Sequence, residues 1–364
     1  MNLRLRFALT FALLASLALL SAAPLAAQGD ERLGEDGTVR MDGVSVPLSN
    51  LMSEEAREYL RHLILDKPFG TAVPDIAEER ARQDAIMQGF LDPMRRRYAV
   101  DIAQDTIGGV VVDIVTPAGG VPANHSDRVL INLHGGGFVT GARSASLVEA
   151  VPLAALMQIK VVSVDYRMAP EHGFPAASED VESVYRALLE HYEPGKIAIY
   201  GCSAGGFLTA QALARFQAQG LPNPAAAGVF CAALDGYSGG DATVLAGPLL
   251  GFLPPTPSAP RTAPPPAAGP NYMSSAQRDD PLAYPLASAE VIAQFPPTLF
   301  ISGTRSFEFS AALNSHNALA RAGVESRFHG WDGMFHGFIY NSDLPEAREA
   351  YAIMADFFQT HLAD

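Results

Sequence analysis

The chain has 364 residues with 48% apolar content, enough to bury a large core and to exclude global disorder. The net charge of −14 repels nucleic acid and anionic lipid, so binding to either is excluded as a function. With 32 glycines and 27 prolines, much of the excess of these residues is expected in loops.

Residues 1–27 read as a secretory signal peptide. Arg4 and Arg6 form a short positive region, Phe7 to Leu20 an apolar core, and small residues lead to a cut after Ala27. The apolar run is short for a membrane span, which needs about 20 residues. Removal of the segment takes the net charge from −14 to −16. No second hydrophobic span follows. The expectation is an exported protein, periplasmic or secreted, with no membrane attachment after the cut. Cys202 and Cys231 are the only cysteines. Each closes a predicted strand, and export permits either a disulfide or two buried thiols. No Cys and His cluster has metal-site spacing, and no metal is expected.

Residues 28–104 look helical and amphipathic, without a strand pattern. Ser53 is placed to cap one helix, and "AEERARQDAIMQGFLDPMRRRYAV" predicts a second, interrupted near Pro93. This segment is either a cap over one sheet edge or a decorating helix pair. From residue 105 to 364 the pattern changes. "TIGGVVVDIVTP", "DRVLINLHGG", "IKVVSVDYR", "KIAIYGCS", "AAGVFCAAL", "TLFISGT" and "ESRFHGW" read as short strands, most of them continuous apolar runs suited to burial on both faces. Helical patterns alternate with them. The fold class is therefore α/β: a doubly wound, mainly parallel sheet of about eight strands with a helical cap. One excursion, about 236–290, breaks the rhythm. Its "LPPTPSAPRTAPPPAAGP" forbids long helices and central strands. It either completes the cap or is a plain surface insertion.

Three motifs carry chemistry. Gly201-Cys202-Ser203-Ala204-Gly205 fits G-x-S-x-G between a strand and a helix, the context of a nucleophile elbow. Ser203 is the expected nucleophile, presented where the helix dipole favours negative charge. His134-Gly135-Gly136-Gly137 follows a strand, and its bare backbone can offer N–H groups to an oxyanion. The expected donors are Gly136, Gly137 and Ala204. His336, in "GMFHGFIY" after the last strand, is the expected general base. His134 and His172 also lie in motif loops, where structural roles are expected.

Together "HGGGF", "VDYRMAPEHGFPAASEDV", "GCSAGG" and "GMFHGF" resemble the bacterial hormone-sensitive-lipase-like esterases of the α/β-hydrolase fold, over about residues 105–362. The resemblance implies a carboxylic ester hydrolase acting on short- to medium-chain esters, with no cofactor. It implies a cap built partly from the N-terminal helices, and structural roles for Glu171 and Asp180. Monomers or homodimers are expected. A lactone would need the same site, and a non-catalytic ligand-binding protein of this fold is the alternative from another class.

Two positions depart from the family pattern. The residue before the nucleophile is usually acidic, and here it is Cys202. The triad acid is usually an Asp where this chain has Ser306. A hydroxyl cannot balance the charge of an imidazolium, so another carboxylate is needed. Glu308, two residues on and one methylene longer, is the expected acid, although an acidic residue at a helix start is favoured in any case. Asp235, at the end of the preceding strand, is an alternative. Asp332 is expected to lie on the wrong side of its turn.

Overall fold

The computed structural model describes residues 45–66, 75–237, 239–251 and 271–362. The proposed signal segment and the Pro-rich core of the excursion, 252–270, lie outside the described residues. The chain divides into two units, residues 1–47 and 48–364. The second carries every element named below. Among the described residues, no helix is long and apolar enough to cross a membrane.

Two helices come first, α1 (Glu54–Asp66) and α2 (Ile76–Arg97). Ser53 caps α1 by accepting the Ala56 N–H at 3.1 Å. Helix α2 runs through Pro93 without the expected interruption. A proline inside a helix costs about 3 kcal/mol. Burial of Leu91 and Met94 on either side of it offsets that cost.

The sheet has eight strands: β1 (Val100–Ile107), β2 (Val110–Pro117), β3 (Val129–Leu133), β4 (Lys160–Val164), β5 (Ile197–Cys202), β6 (Ala226–Phe230), β7 (Thr298–Gly303) and β8 (Ser326–Trp331). Their spatial order is β1-β2-β4-β3-β5-β6-β7-β8. The pairs β1–β2 and β2–β4 are antiparallel, and β4 through β8 are joined in parallel. The sheet thus begins at Val100, inside the segment read as strandless to residue 104. Strand β1 is an edge strand, mostly exposed, so "VDIAQDTI" carries no apolar run to betray it. Its register comes from eight residue pairs with β2 across the Gly108-Gly109 turn.

Helices α3 (Ser144–Met157), α4 (Ala176–Leu188), α5 (Ala204–Ala218), α6 (Gly240–Leu249), α7 (Ala289–Ile292), α8 (Phe309–Arg321) and α9 (Pro345–Leu362) follow in chain order. One apolar layer joins the sheet to α3, α9 and the two N-terminal helices. The other joins it to α4, α5 and α8. Strands β3, β5, β6 and β7 are buried along their whole length, as their continuous apolar runs require. Strand β3 lies between β4 and β5, so the chain leaves it in opposite directions. That switch point, at the carboxyl ends of β3 and β5, is where sites form in such sheets.

Helix α2 is tied to the loop after β3. Arg80 donates to the carbonyls of Val139 at 2.8 Å and Ala169 at 3.0 Å, and grips both oxygens of Glu171. The described part of the excursion is held as well. Thr243 of α6 donates to the Phe307 carbonyl at 3.0 Å, and Tyr272 stacks on Phe138 with centroids 4.4 Å apart.

Candidate active site

Ser203 stands between β5 and α5 with φ 57° and ψ −122°, a left-handed conformation that a residue with a side chain seldom adopts. The turn closes only because its flanks are small. A Cβ on Gly205 would overlap the Leu133 carbonyl of β3. The Ser203 N–H is held by the Phe230 carbonyl at 2.8 Å. Ala204 is the first residue of α5, so its N–H is one of those left without an intrahelical acceptor.

The β3 loop faces this turn. Gly136 has φ 112°, which only glycine takes readily, and its carbonyl accepts the Val139 and Thr140 N–H groups at 3.1 and 3.0 Å. The N–H groups of Gly136 and Gly137 have no acceptor among the described residues. His134 is buried below the loop, stacked on Tyr166 with centroids 4.2 Å apart, and its Nδ1–H donates to the Gly135 carbonyl at 2.7 Å. His172 is exposed. Neither ring is bonded to Ser203.

The ring that meets Ser203 is His336. Its Nε2 lies 3.0 Å from Ser203 Oγ, and its Nδ1 lies 3.0 Å from Glu308 Oε2. The carboxylate at Nδ1 fixes the proton there, leaving Nε2 to accept from the serine. Glu308 stands at the N-cap of α8, just before Phe309, but makes no capping bond with its side chain. Its carboxylate turns inward and is fully buried. Ser302 donates to Oε1 at 3.0 Å, and Ser306 donates to Oε2. The residue at the family's acid position thus hydrogen-bonds the displaced carboxylate. Burial pushes the Glu308 carboxyl up, but the His336 charge and the bonds from His336 and Ser306 outweigh burial and hold it below the ordinary value. The Phe307 ring lies over His336, with centroids 4.5 Å apart.

The other carboxylates are elsewhere. Asp235 sits in the tight turn closed by the Ala233–Gly236 bridge and makes no bond to the ring. Burial raises its carboxyl above the ordinary value. Asp332 accepts the hydroxyls of Thr304, at 3.1 Å, and of Ser49. Asp180 holds Arg167 at 2.9 Å, and Glu171 holds Arg80 at 2.7 Å. Cys202 and Cys231 are free and buried, which settles the choice between a bridge and two thiols. Among the described residues, no group of three His, Cys, Asp or Glu side chains is placed to hold a metal ion.

One buried carboxyl was not anticipated. Glu149 of α3, 1% exposed, reaches the peptides beneath the site. Its Oε1 accepts the Gly135 N–H at 2.9 Å and the Tyr340 hydroxyl at 2.8 Å, and Oε2 accepts the Cys202 N–H at 3.3 Å. Burial raises its carboxyl to about 8, against the opposing pull of those three bonds. The sequence signal was present: Glu149 is the single charge in the otherwise apolar "SLVEAVPLAAL". An acid is usual just before the nucleophile in the family; here a carboxyl reaches that same peptide from α3.

Comparison with known proteins agrees with this architecture. A family model described as alpha/beta hydrolase fold matches residues 130–340. An acetyl-hydrolase of Streptomyces hygroscopicus is 31% identical over 282 residues, covering 75% of this chain and 91% of the relative. An esterase of Acinetobacter venetianus is 28% identical over 233 residues, covering 63% of this chain and 74% of the relative. The crystal structure of an esterase superposes with a TM-score of 0.71 at 27% identity, covering 90% of this chain and 99% of that one. The chain belongs to the α/β-hydrolase fold family. Within it, the chain is a carboxylic ester hydrolase, as its relatives are named.

Proposed function

We propose that the protein is an exported serine esterase for short- to medium-chain carboxylic esters, with Ser203 as nucleophile, His336 as general base and acid, and Glu308 as the triad acid. The observation that carries this reading is the continuous chain of bonds from Ser203 Oγ through both nitrogens of His336 to Glu308. His336 Nε2 takes the proton as Ser203 attacks the ester carbonyl. The tetrahedral oxyanion is received by the N–H groups of Gly136, Gly137 and Ala204. The imidazolium then protonates the leaving alcohol, and an acyl group remains on Ser203. Water, deprotonated by the same ring, releases the acid and restores the serine. Glu308 keeps the proton on Nδ1 and balances the imidazolium charge.

The acyl-length range rests on the family resemblance. The half-buried rings of Phe307, over His336, and Tyr237, 6.5 Å from Phe307, supply an apolar wall against which such a chain can pack, with the buried Phe207 ring backing Tyr237 at 5.9 Å. Export rests on the N-terminal sequence. The protein acts as a monomer or homodimer in this reading, and α2 with the described part of the excursion forms the cap.

Hydrolysis of p-nitrophenyl butyrate by wild type and Ser203→Ala tests the reading. The wild type turns the ester over and is labelled at Ser203 by a fluorophosphonate; Ser203→Ala does neither. Equal rates for the two proteins would refute it. Mass analysis of the exported protein is expected to show Gln28 as the first residue.

A further inference from the structure

Three loops supply the proposed chemistry: the β3 loop with Gly136 and Gly137, the elbow with Ser203, and the loop after β8 with His336. No side chain of the triad joins the first of these loops to the others. Glu149 does. It is bonded to the residue before Gly136, to the residue before Ser203, and to the residue four places after His336.

The contacts are tight. A Cβ on Gly135 would stand 2.6 Å from the Tyr340 hydroxyl and 3.0 Å from the Cys202 carbonyl. The three loops therefore meet at one point, with the Glu149 carboxyl below it. The two short bonds converge on Oε1 and the long one falls on Oε2. Around the carboxyl stand Tyr200, whose hydroxyl donates to the Glu149 carbonyl at 3.1 Å, and the thiol of Cys202. Among the described residues, no cation is ion-paired with it, so salt-bridge formation does not explain its burial.

We propose that Glu149 is the positioning residue of the site: its Oε1 fixes the Gly135 peptide, and with it the aim of the oxyanion donors, relative to the elbow and the His336 loop. The assignment rests on the esterase reading above. Its physical basis is alignment. Losing one oxyanion donor costs about 10²–10³ in kcat, and a misplacement of about 1 Å can cost about 10². The peptides bonded to Glu149 are one residue away from both reacting partners. Glutamine keeps an acceptor oxygen for Gly135 and Tyr340 and forfeits the longest bond. Methionine keeps the volume and loses all three acceptor contacts.

The test compares wild type, Glu149→Gln, Glu149→Met and Ser203→Ala on p-nitrophenyl butyrate, with active sites counted by fluorophosphonate labelling. Glu149→Met is expected to lose about 30- to 100-fold in kcat per labelled site, with KM changed less than about threefold. Glu149→Gln is expected to stay within about threefold of wild type, because the acceptor is restored. Tyr340→Phe, which leaves the carboxyl in place, is expected to lose about three- to tenfold in kcat at constant KM, and decides the matter if the methionine variant does not fold. The inference is overturned if Glu149→Met or Tyr340→Phe keeps full kcat per site, or if glutamine is as damaging as methionine. Those results leave wild type far above Ser203→Ala. If wild type itself matches Ser203→Ala, the esterase reading fails and this inference falls with it.

Discussion

Replacing Glu308 by glutamine removes charge from the site while keeping its shape. The carboxylate is fully buried and 3.0 Å from His336 Nδ1, whose side chain is 26% exposed. When Ser203 gives up its proton, an imidazolium appears beside it. At a charge separation of about 4 Å and an effective dielectric near 20, the pair attracts by about 4 kcal/mol. Losing that attraction costs about 10³ in kcat, and the equivalent loss in the template triad is about 10⁴. Glu308→Gln should therefore fall by about 10³–10⁴ in kcat on p-nitrophenyl butyrate, with KM nearly unchanged. A second substitution, Ser306→Asp, places a carboxylate at the family's usual position. In the Glu308→Gln background it should recover at least about tenfold, because Ser306 already bonds the oxygen that faces the ring. A Glu308→Gln enzyme within tenfold of wild type would refute the charge-balance argument and leave Glu308 a helix-start residue.

Two further outcomes follow from the packing and the ionisation. Gly205→Ala drives a methyl group into the Leu133 carbonyl. It should cost at least about 2 kcal/mol in urea unfolding and abolish fluorophosphonate labelling, whereas retained labelling at full rate would show that the elbow can open. Glu149 has a folded value of about 8 against an ordinary value of 4.5. A raised value means the stability contributed by the protonated carboxyl is complete below 4.5 and is lost as pH rises through about 8, by about 5 kcal/mol in total. The groups facing it, Tyr166, Tyr200, Tyr340, Tyr351 and Cys202, all have values raised by burial, so Glu149 ionises first. Between pH 5 and pH 8.5, wild type should lose stability relative to Glu149→Gln in urea titrations; parallel curves would show that Glu149 does not titrate in that window.

Much of this protein was legible in the chain because its signals are local. Fully buried parallel strands must be continuously apolar, so β3, β5, β6 and β7 announce themselves. Ser203 lies in a turn so tight that its neighbours must be small, and a few residues then identify it. His336 follows from order along the chain, which the fold imposes. Strand β1 was missed because an exposed edge strand has no obligatory apolar pattern, and its pairing with β2 alone defines it. The run of α2 through Pro93 was missed because packing of Leu91 and Met94 overrides a local propensity. Glu308 could be named from sequence only as a candidate beside Asp235 and as a possible helix start. Which carboxylate faces Nδ1 depends on side-chain direction at the end of β7, and only the packed loops set that. Glu149 shows the same division: a lone charge in an apolar helix marks a buried acid, but its partners come from positions 135, 202 and 340, brought together only when β3, β5 and the loop after β8 stand side by side.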